Sequence, residues 1–205
     1  MFLSCYILDL RYPEVRRALR NAYEMHRTVM SAFRFIDSKV PRQDMGVLFR
    51  LITTGRVCKL YVSSAEKPLS DMPQGFVKQE GSPKEITDIA KSFSEGRVLH
   101  FNLMAMPSKK VKVLDCKNSK RVFLGKEADR EKWLMDKAMQ NGFQVVSFFE
   151  QKGADNRIKN GGYQSVVFQG LLRIIDQEKF RNAYQNGIGA EKAFGCGMLL
   201  LSKPS

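Results

Sequence analysis

The order in which strand and helix signals alternate along residues 97–205 leaves few folds open to this chain. "RVLHFNLMAM" (97–106) is β-branched and apolar and stops at Pro107, which marks a strand. A basic loop follows, then "KEADREKWLMDKAMQNG", where Ala128, Leu134, Met135, Ala138 and Met139 recur at helical spacing and Gly142 supplies a stop. "FQVVSFFEQ" (143–151) reads as a strand, "KGADNRIKNGG" as a polar loop, and "YQSVVFQGLLRII" (163–175) as the return of a long hairpin. Asp176 caps a helix, "QEKFRNAYQN", that buries Phe180, Ala183 and Tyr184, and a final apolar run closes the chain. Strand, helix, strand, strand, helix, strand is the ferredoxin-like pattern: an antiparallel sheet covered by helices on one side, its other face free to bind.

The first half repeats this order less clearly. A strand over residues 1–10 precedes helices between Pro13 and Phe35; "MGVLFRLITTG" and "RVCKLYVSSA" form a hairpin, and "GFVKQE" supplies a fourth strand. Ser82 and Glu85 make a capping box for a short helix, "PKEITDIAKSFSEG", leading into the second half. The 205 residues are long enough for two domains of about 100 residues each. The expected architecture is α+β: two tandem ferredoxin-like (RRM-like) domains with antiparallel sheets, over residues 1–95 and 96–205, divided near Gly96.

Several classes are disfavoured. "MFLSCYILDLRY" is short, lacks a basic leader and meets Asp9 and Arg11 early, so it is expected to be a strand and not a signal sequence or membrane span. Cys5, Cys58, Cys116 and Cys196 lie far apart without a CxxC pair, and His26 and His100 are the only histidines. Neither a zinc site nor a disulfide scaffold is expected, no cofactor is implied, and a reducing cytoplasm is the simplest home.

Charge is the informative departure. The chain carries a formal net charge of +13, which points to a polyanionic partner. The second half holds most of the excess, and its densest stretch, residues 108–126, sets Lys109, Lys110, Lys112, Lys117, Lys120, Arg121 and Lys126 against Asp115 alone. Contact with a nucleic-acid backbone accounts for this run better than a merely solvated face.

"GIGAEKAFGCGMLLL" (187–201) places Gly187, Gly189, Gly195 and Gly197 beside an apolar run. A dinucleotide-binding loop passes from strand through glycines into a helix, whereas here a helix comes first and a strand follows, so a nucleotide cofactor is excluded. Gly187 and Gly189 read as a helix cap and turn, and Gly195 and Gly197 as the start of the last strand, where missing side chains let an RNA backbone or the neighbouring domain approach closely, with Lys192 between the pairs to meet a phosphate. The chemistry is expected elsewhere, on a distant helix.

That helix is "NAYEMHRTVMSAF" (21–33), with Asn21 as its cap and Ala22, Met25, Val29, Ala32, Phe33 and Ile36 as its core stripe. At about 100° per residue, His26 lies roughly 70° and Tyr23 roughly 130° from the stripe's centre. Tyr23, His26, Arg27, Met30 and Arg34 thus share one edge. Imidazole moves protons near neutral pH, a phenol orients or deprotonates a hydroxyl, and guanidinium stabilises phosphoryl charge. These are the types that attack of a ribose 2′-hydroxyl on the adjacent phosphorus requires. His100, mid-strand beside Phe101, has a packing or surface role. No Ser-His-Asp set, Walker loop or carboxylate cluster competes.

In combination, "YEMHRTVMSAF" after a first strand, "AMPSKK", "YQSVVFQGLLRIID" and "GIGAEKAFGCGMLLLS" resemble the CasE family, the CRISPR repeat-processing endoribonuclease subunit of the type I-E Cascade complex. The resemblance spans nearly the full chain with the motifs in order. It implies two ferredoxin-like domains and metal-independent cleavage of precursor CRISPR RNA at the base of each repeat hairpin. It also implies 5′-hydroxyl and 2′,3′-cyclic phosphate ends and a product retained with other Cascade subunits, with no membrane partner. Tyr23 and His26 take the catalytic positions. Arg27, Lys109, Lys110, Arg157, Lys159, Lys192 and the four glycines are the candidates for RNA contact; Arg157 and Lys159 sit in a hairpin loop suited to an A-form stem. Met106 stands where many relatives carry Asn, and Ala190 and Glu191 where relatives often carry a basic residue. The alternative is a non-catalytic RNA-hairpin-binding subunit of a ribonucleoprotein complex.

Overall fold

The computed structural model of the chain describes residues 1–69, 72–79, 81–112, 120–153, 156–158 and 161–204, with 156–158 and 161–163 as backbone. β1 (Phe2–Leu8) runs into two consecutive helices, α1 (Pro13–Arg20) and α2 (Ala22–Ser31), and a single-turn helix, α3 (Pro41–Asp44). A hairpin of β2 (Leu48–Thr54) and β3 (Val57–Ser64) follows, then β4 (Val77–Gln79) and β5 (Lys84–Glu85). β1 pairs antiparallel with β3 on one side and with β4 and β5 on the other, giving the sheet order β2-β3-β1-β4.

A short helix, α4 (Thr87–Lys91), leads into the second half: β6 (Val98–Ala105), β7 (Ser108–Val111), β8 (Lys120–Phe123), α5 (Glu127–Gln140) and β9 (Phe143–Lys152). Then come β10 (Asn156–Ile158), β11 (Gly161–Tyr163), β12 (Val166–Ile174), α6 (Gln177–Asn186), a 3-10 turn over Lys192–Phe194 and β13 (Leu199–Ser202). The second sheet has the order β13-β6-β12-β9. Counted within each half, both sheets run fourth, first, third, second, and every pairing is antiparallel. This is the ferredoxin-like order, because each strand–helix–strand crossover leaves a gap that the returning hairpin strand fills.

The halves differ in one element. α6 connects the last two strands of the second sheet, but residues 65–76 carry no helix among those described. Pro68 and Pro73 punctuate that segment with a fixed φ and no donor, which disfavours continuous helical turns.

Local signals were otherwise followed closely, with three corrections. The expected Ser82–Glu85 capping box does not form: Lys84 and Glu85 pair with Leu3 and Phe2, and α4 starts from Ile86 without a side-chain cap. The basic loop contains a hairpin, β7 against β8, that sets Lys110 directly opposite Arg121. The polar loop after β9 carries a second ladder, Arg157 opposite Gly162. In each case backbone pairing with a neighbour outweighed local preference, which no window of sequence contains.

Two cores result. Val15, Met25 and Val29 of α1 and α2 pack on Tyr6, Leu60 and Val62 of the first sheet. Leu134, Phe180 and Ala183 of α5 and α6 cover Leu103, Phe168 and Leu172 of the second. The Phe180 ring meets Phe93 and Phe143 edge-on at centroid distances of 5.0 and 5.8 Å, a geometry that adds to the roughly 1.5–3 kcal/mol of burying such a side chain. Ala90 and Phe93 join this second core. A third cluster, Ala22, Met104 and Cys196 with Phe194, ties α2 to the second half. Cys5, Cys58 and Cys196 are free thiols, and Cys116 lies outside the described residues. Among the described residues no helix is long and apolar enough to cross a membrane.

Candidate active site

One residue, Asn21, separates α1 from α2. Its extended backbone ends one helix, and its Oδ1 accepts the N–H of Tyr23 at 3.1 Å to start the next. That cap fixes the rotation of α2. With Ala22, Met25 and Val29 buried, Tyr23 is left 45% exposed and His26 half-buried at the rim. Arg27 is exposed and lies 3.6 Å from Glu24, while Arg34 is engaged by Glu66 through two bonds of 2.8 and 2.9 Å.

Burial, and after it the charge of Arg42, lowers the affinity of His26 for a proton below that of an ordinary imidazole. Arg42 comes from α3, where its Nη1 donates to the carbonyl of Val47 at 2.9 Å. At neutral pH His26 is therefore neutral, with a nitrogen able to accept a proton.

The glycine-rich motif is close to this helix, against the expectation of a distant one. α2 packs beside the 3-10 turn at Lys192–Phe194, through Ala22 against Phe194 and Cys196. A Cβ on Gly187 would stand 3.0 Å from Leu48, and one on Gly195 3.1 Å from Phe49, with both glycines at positive φ. These two absent side chains let the motif approach the first sheet closely. Lys192 is half-buried, donates to the Asn186 carbonyl at 2.8 Å, and has its proton affinity lowered by burial, then by Arg42 and Lys137.

β10, which carries Arg157, also runs beside α2, whereas Lys159 lies outside the described residues. Lys109 and Lys110 stand exposed on β7. His100 sits half-buried on β6, opposite Leu171 and Ser202. Among the described residues no group of three or more His, Cys, Asp and Glu side chains gathers as metal ligands.

The chain matches the model of the family described as CRISPR associated protein over residues 1–203. It belongs to that family. Among the relatives of this CRISPR-associated protein are the CRISPR-associated endoribonuclease Cse3 of Thermus thermophilus and the CRISPR system Cascade subunit CasE of Escherichia coli. Cse3 is 27% identical, covering 97% of this chain and 98% of its own. CasE is 29% identical, covering 89% and 92%. Two solved structures are likewise similar. Thermus thermophilus Cse3, bound to an RNA representing a pre-cleavage complex, superposes with a TM-score of 0.82 at 27% identity over 98% of both chains. Escherichia coli Cas6e superposes with a TM-score of 0.74 at 27% identity over the full length of both.

Two residues of this CRISPR-associated protein escaped the sequence reading. Arg42 sits in an undistinguished stretch, and only folding brings it to His26. Arg50, 6% exposed, lines a cleft of about 570 Å³ between the two sheets, with Nη1 donating to Met104 Sδ at 2.8 Å and Nη2 to Asn102 Oδ1 at 3.3 Å. The one available signal for Arg50 was a charge inside the apolar strand "VLFRLI".

Proposed function

We propose that this protein is a metal-independent endoribonuclease that cuts precursor CRISPR RNA within each repeat, at the base of a hairpin, and stays bound to the mature guide RNA in a cytoplasmic Cascade complex. The observation that carries this reading is the position of His26. It is a half-buried imidazole kept neutral by burial and Arg42, on an α2 rim flanked by the glycine-rich turn and β10, in a chain whose relatives include the endoribonuclease Cse3. The working domains are residues 1–95, carrying the catalytic helix, and 96–205, carrying the basic hairpin and glycine-rich motif.

The chemistry follows from these groups. The ribose 2′-oxygen attacks the adjacent phosphorus while neutral His26 takes its proton, and the bond from phosphorus to the 5′-oxygen breaks. The departing oxygen takes a proton from solvent, to which protonated His26 returns the one it accepted, and leaves as a 5′-hydroxyl; the other fragment ends in a 2′,3′-cyclic phosphate, and no water is consumed overall. Exposed Tyr23, one turn before His26, orients the attacking hydroxyl, and Arg27 offsets charge on the phosphoryl oxygens, while Lys192 meets a phosphate elsewhere on the RNA backbone. Lys109, Lys110, Arg157 and Lys159 grip the stem through its backbone.

Incubating the purified protein with its cognate repeat RNA in EDTA tests the proposal. Cleavage is expected, abolished by His26→Ala with binding retained and by a 2′-deoxy nucleotide before the scissile phosphate. RNA that is bound but left intact by the wild-type protein overturns it in favour of a hairpin-binding subunit.

A further inference from the structure

Four cations that are far apart in sequence converge behind the glycine-rich motif. Arg42 of α3, Arg121 of β8, Lys137 of α5 and Lys192 line two adjoining pockets of about 490 and 430 Å³, which share Arg121, Gly189, Ala190 and Lys192. Glu191 also lines the first pocket. Yet among the described residues no carboxylate lies within ion-pair distance of any of the four. Arg42 donates to the Val47 carbonyl, Lys192 to the Asn186 carbonyl and Lys137 to Gln140 Oε1.

The arrangement is strained by its own charge. Arg42 and Lys137 both make it harder for half-buried Lys192 to hold its proton, and Arg121 faces a further cation, Lys110, across the β7–β8 hairpin. Like charges held directly opposite, or together out of bulk water, cost stability unless an anion lies between them. The pockets hold mostly polar groups, which suits a phosphate better than an aromatic base.

We propose that Arg42, Arg121, Lys137 and Lys192 form a seat for a backbone phosphate of the RNA other than the one cleaved, placing the chain so that the reactive phosphate reaches His26. This rests on the RNA-cleaving function proposed above. Arg42 connects the two places, since it lines the seat and also acts electrostatically on His26. It is a positioning residue, as are the other three.

The test measures binding of cognate repeat RNA, made uncleavable by a 2′-deoxy nucleotide before the scissile phosphate, across a salt series. Arg121→Gln with Lys137→Gln is expected to weaken binding about tenfold or more near physiological salt and to flatten the log–log salt dependence by about 1–2. Arg121→Lys retains the slope. Lys91→Gln, an exposed charge already matched by Asp88, leaves both readouts unchanged. Wild-type affinity and slope in the folded double variant would overturn the seat. Should the double variant fail to fold, exposed Arg121→Gln alone decides, with a slope change of about 0.7–0.9 expected and none overturning it. A wild-type protein that does not cut repeat RNA defeats the function itself; one that cuts while the variants bind unaltered defeats only the seat.

Discussion

His26 on α2 and Arg42 on α3 are coupled: after burial, the Arg42 charge is what lowers the proton affinity of the imidazole. The folded pKa therefore lies below the ordinary value near 6.5. If His26 accepts the 2′-hydroxyl proton, kcat/KM rises with pH through a midpoint below 6.5 and levels off above it. Arg42→Gln is expected to move that rising limb to higher pH, read from cleavage rates at subsaturating RNA. A limb that stays in place shows that Arg42 does not tune His26. The same lowered pKa means that the unfolded chain takes up a proton first as pH falls, so acidification through the region below 6.5 removes stability.

Tyr23 and His26, one helical turn apart, are expected to act on the same step. His26→Ala lowers the single-turnover cleavage rate by about 10²–10⁴. Tyr23→Phe lowers it by about tenfold or more, and the double variant loses less than the product of the two, as groups that act as a unit do. RNA affinity stays near wild type throughout. Multiplicative losses would indicate two independent effects.

Gly195→Ala combines a positive φ of 87° with a Cβ placed 3.1 Å from Phe49. Strain of this kind costs about 1–3 kcal/mol, and for a chain of this size each kcal/mol lowers Tm by about 2–4 °C. Cleavage falls as well, because the strained turn supports α2. Thermal melting alongside the cleavage assay checks both, and an unchanged Tm counts against the close packing.

Arg130 and Glu150 form a largely buried pair at 2.7 Å, their side chains 14% and 13% exposed. Arg130 also donates to the carbonyls of Leu124 and Gly125 at 3.2 and 2.6 Å, anchoring the chain between β8 and α5 to β9. Glu150→Gln leaves that guanidinium without its charge partner and is expected to cost about 1–3 kcal/mol in urea unfolding. Stability within a few tenths of the wild type would show the anchor to be dispensable.

Much of this protein is written locally. The strand–helix order, the caps at Asn21 and Asp176, the burial of Met25 and Val29 and the rim position of His26 follow from periodicity and short-range hydrogen bonding, which adjacent residues determine. That Tyr23 and His26, the proposed catalytic pair, share one helix rim was legible for the same reason. What lies around them was not. The elements beside α2 are β10 and residues 192–194, the charge that acts on His26 comes from α3, and the four cations of the phosphate seat come from four separate elements. The glycine motif, which the order of elements placed far from the chemistry, reaches α2 because Ala22 of that helix packs with Met104 of β6 and Cys196 of the motif. Electrostatic coupling depends on distance through space, and sequence separation carries no measure of that; the tertiary fold alone decided it.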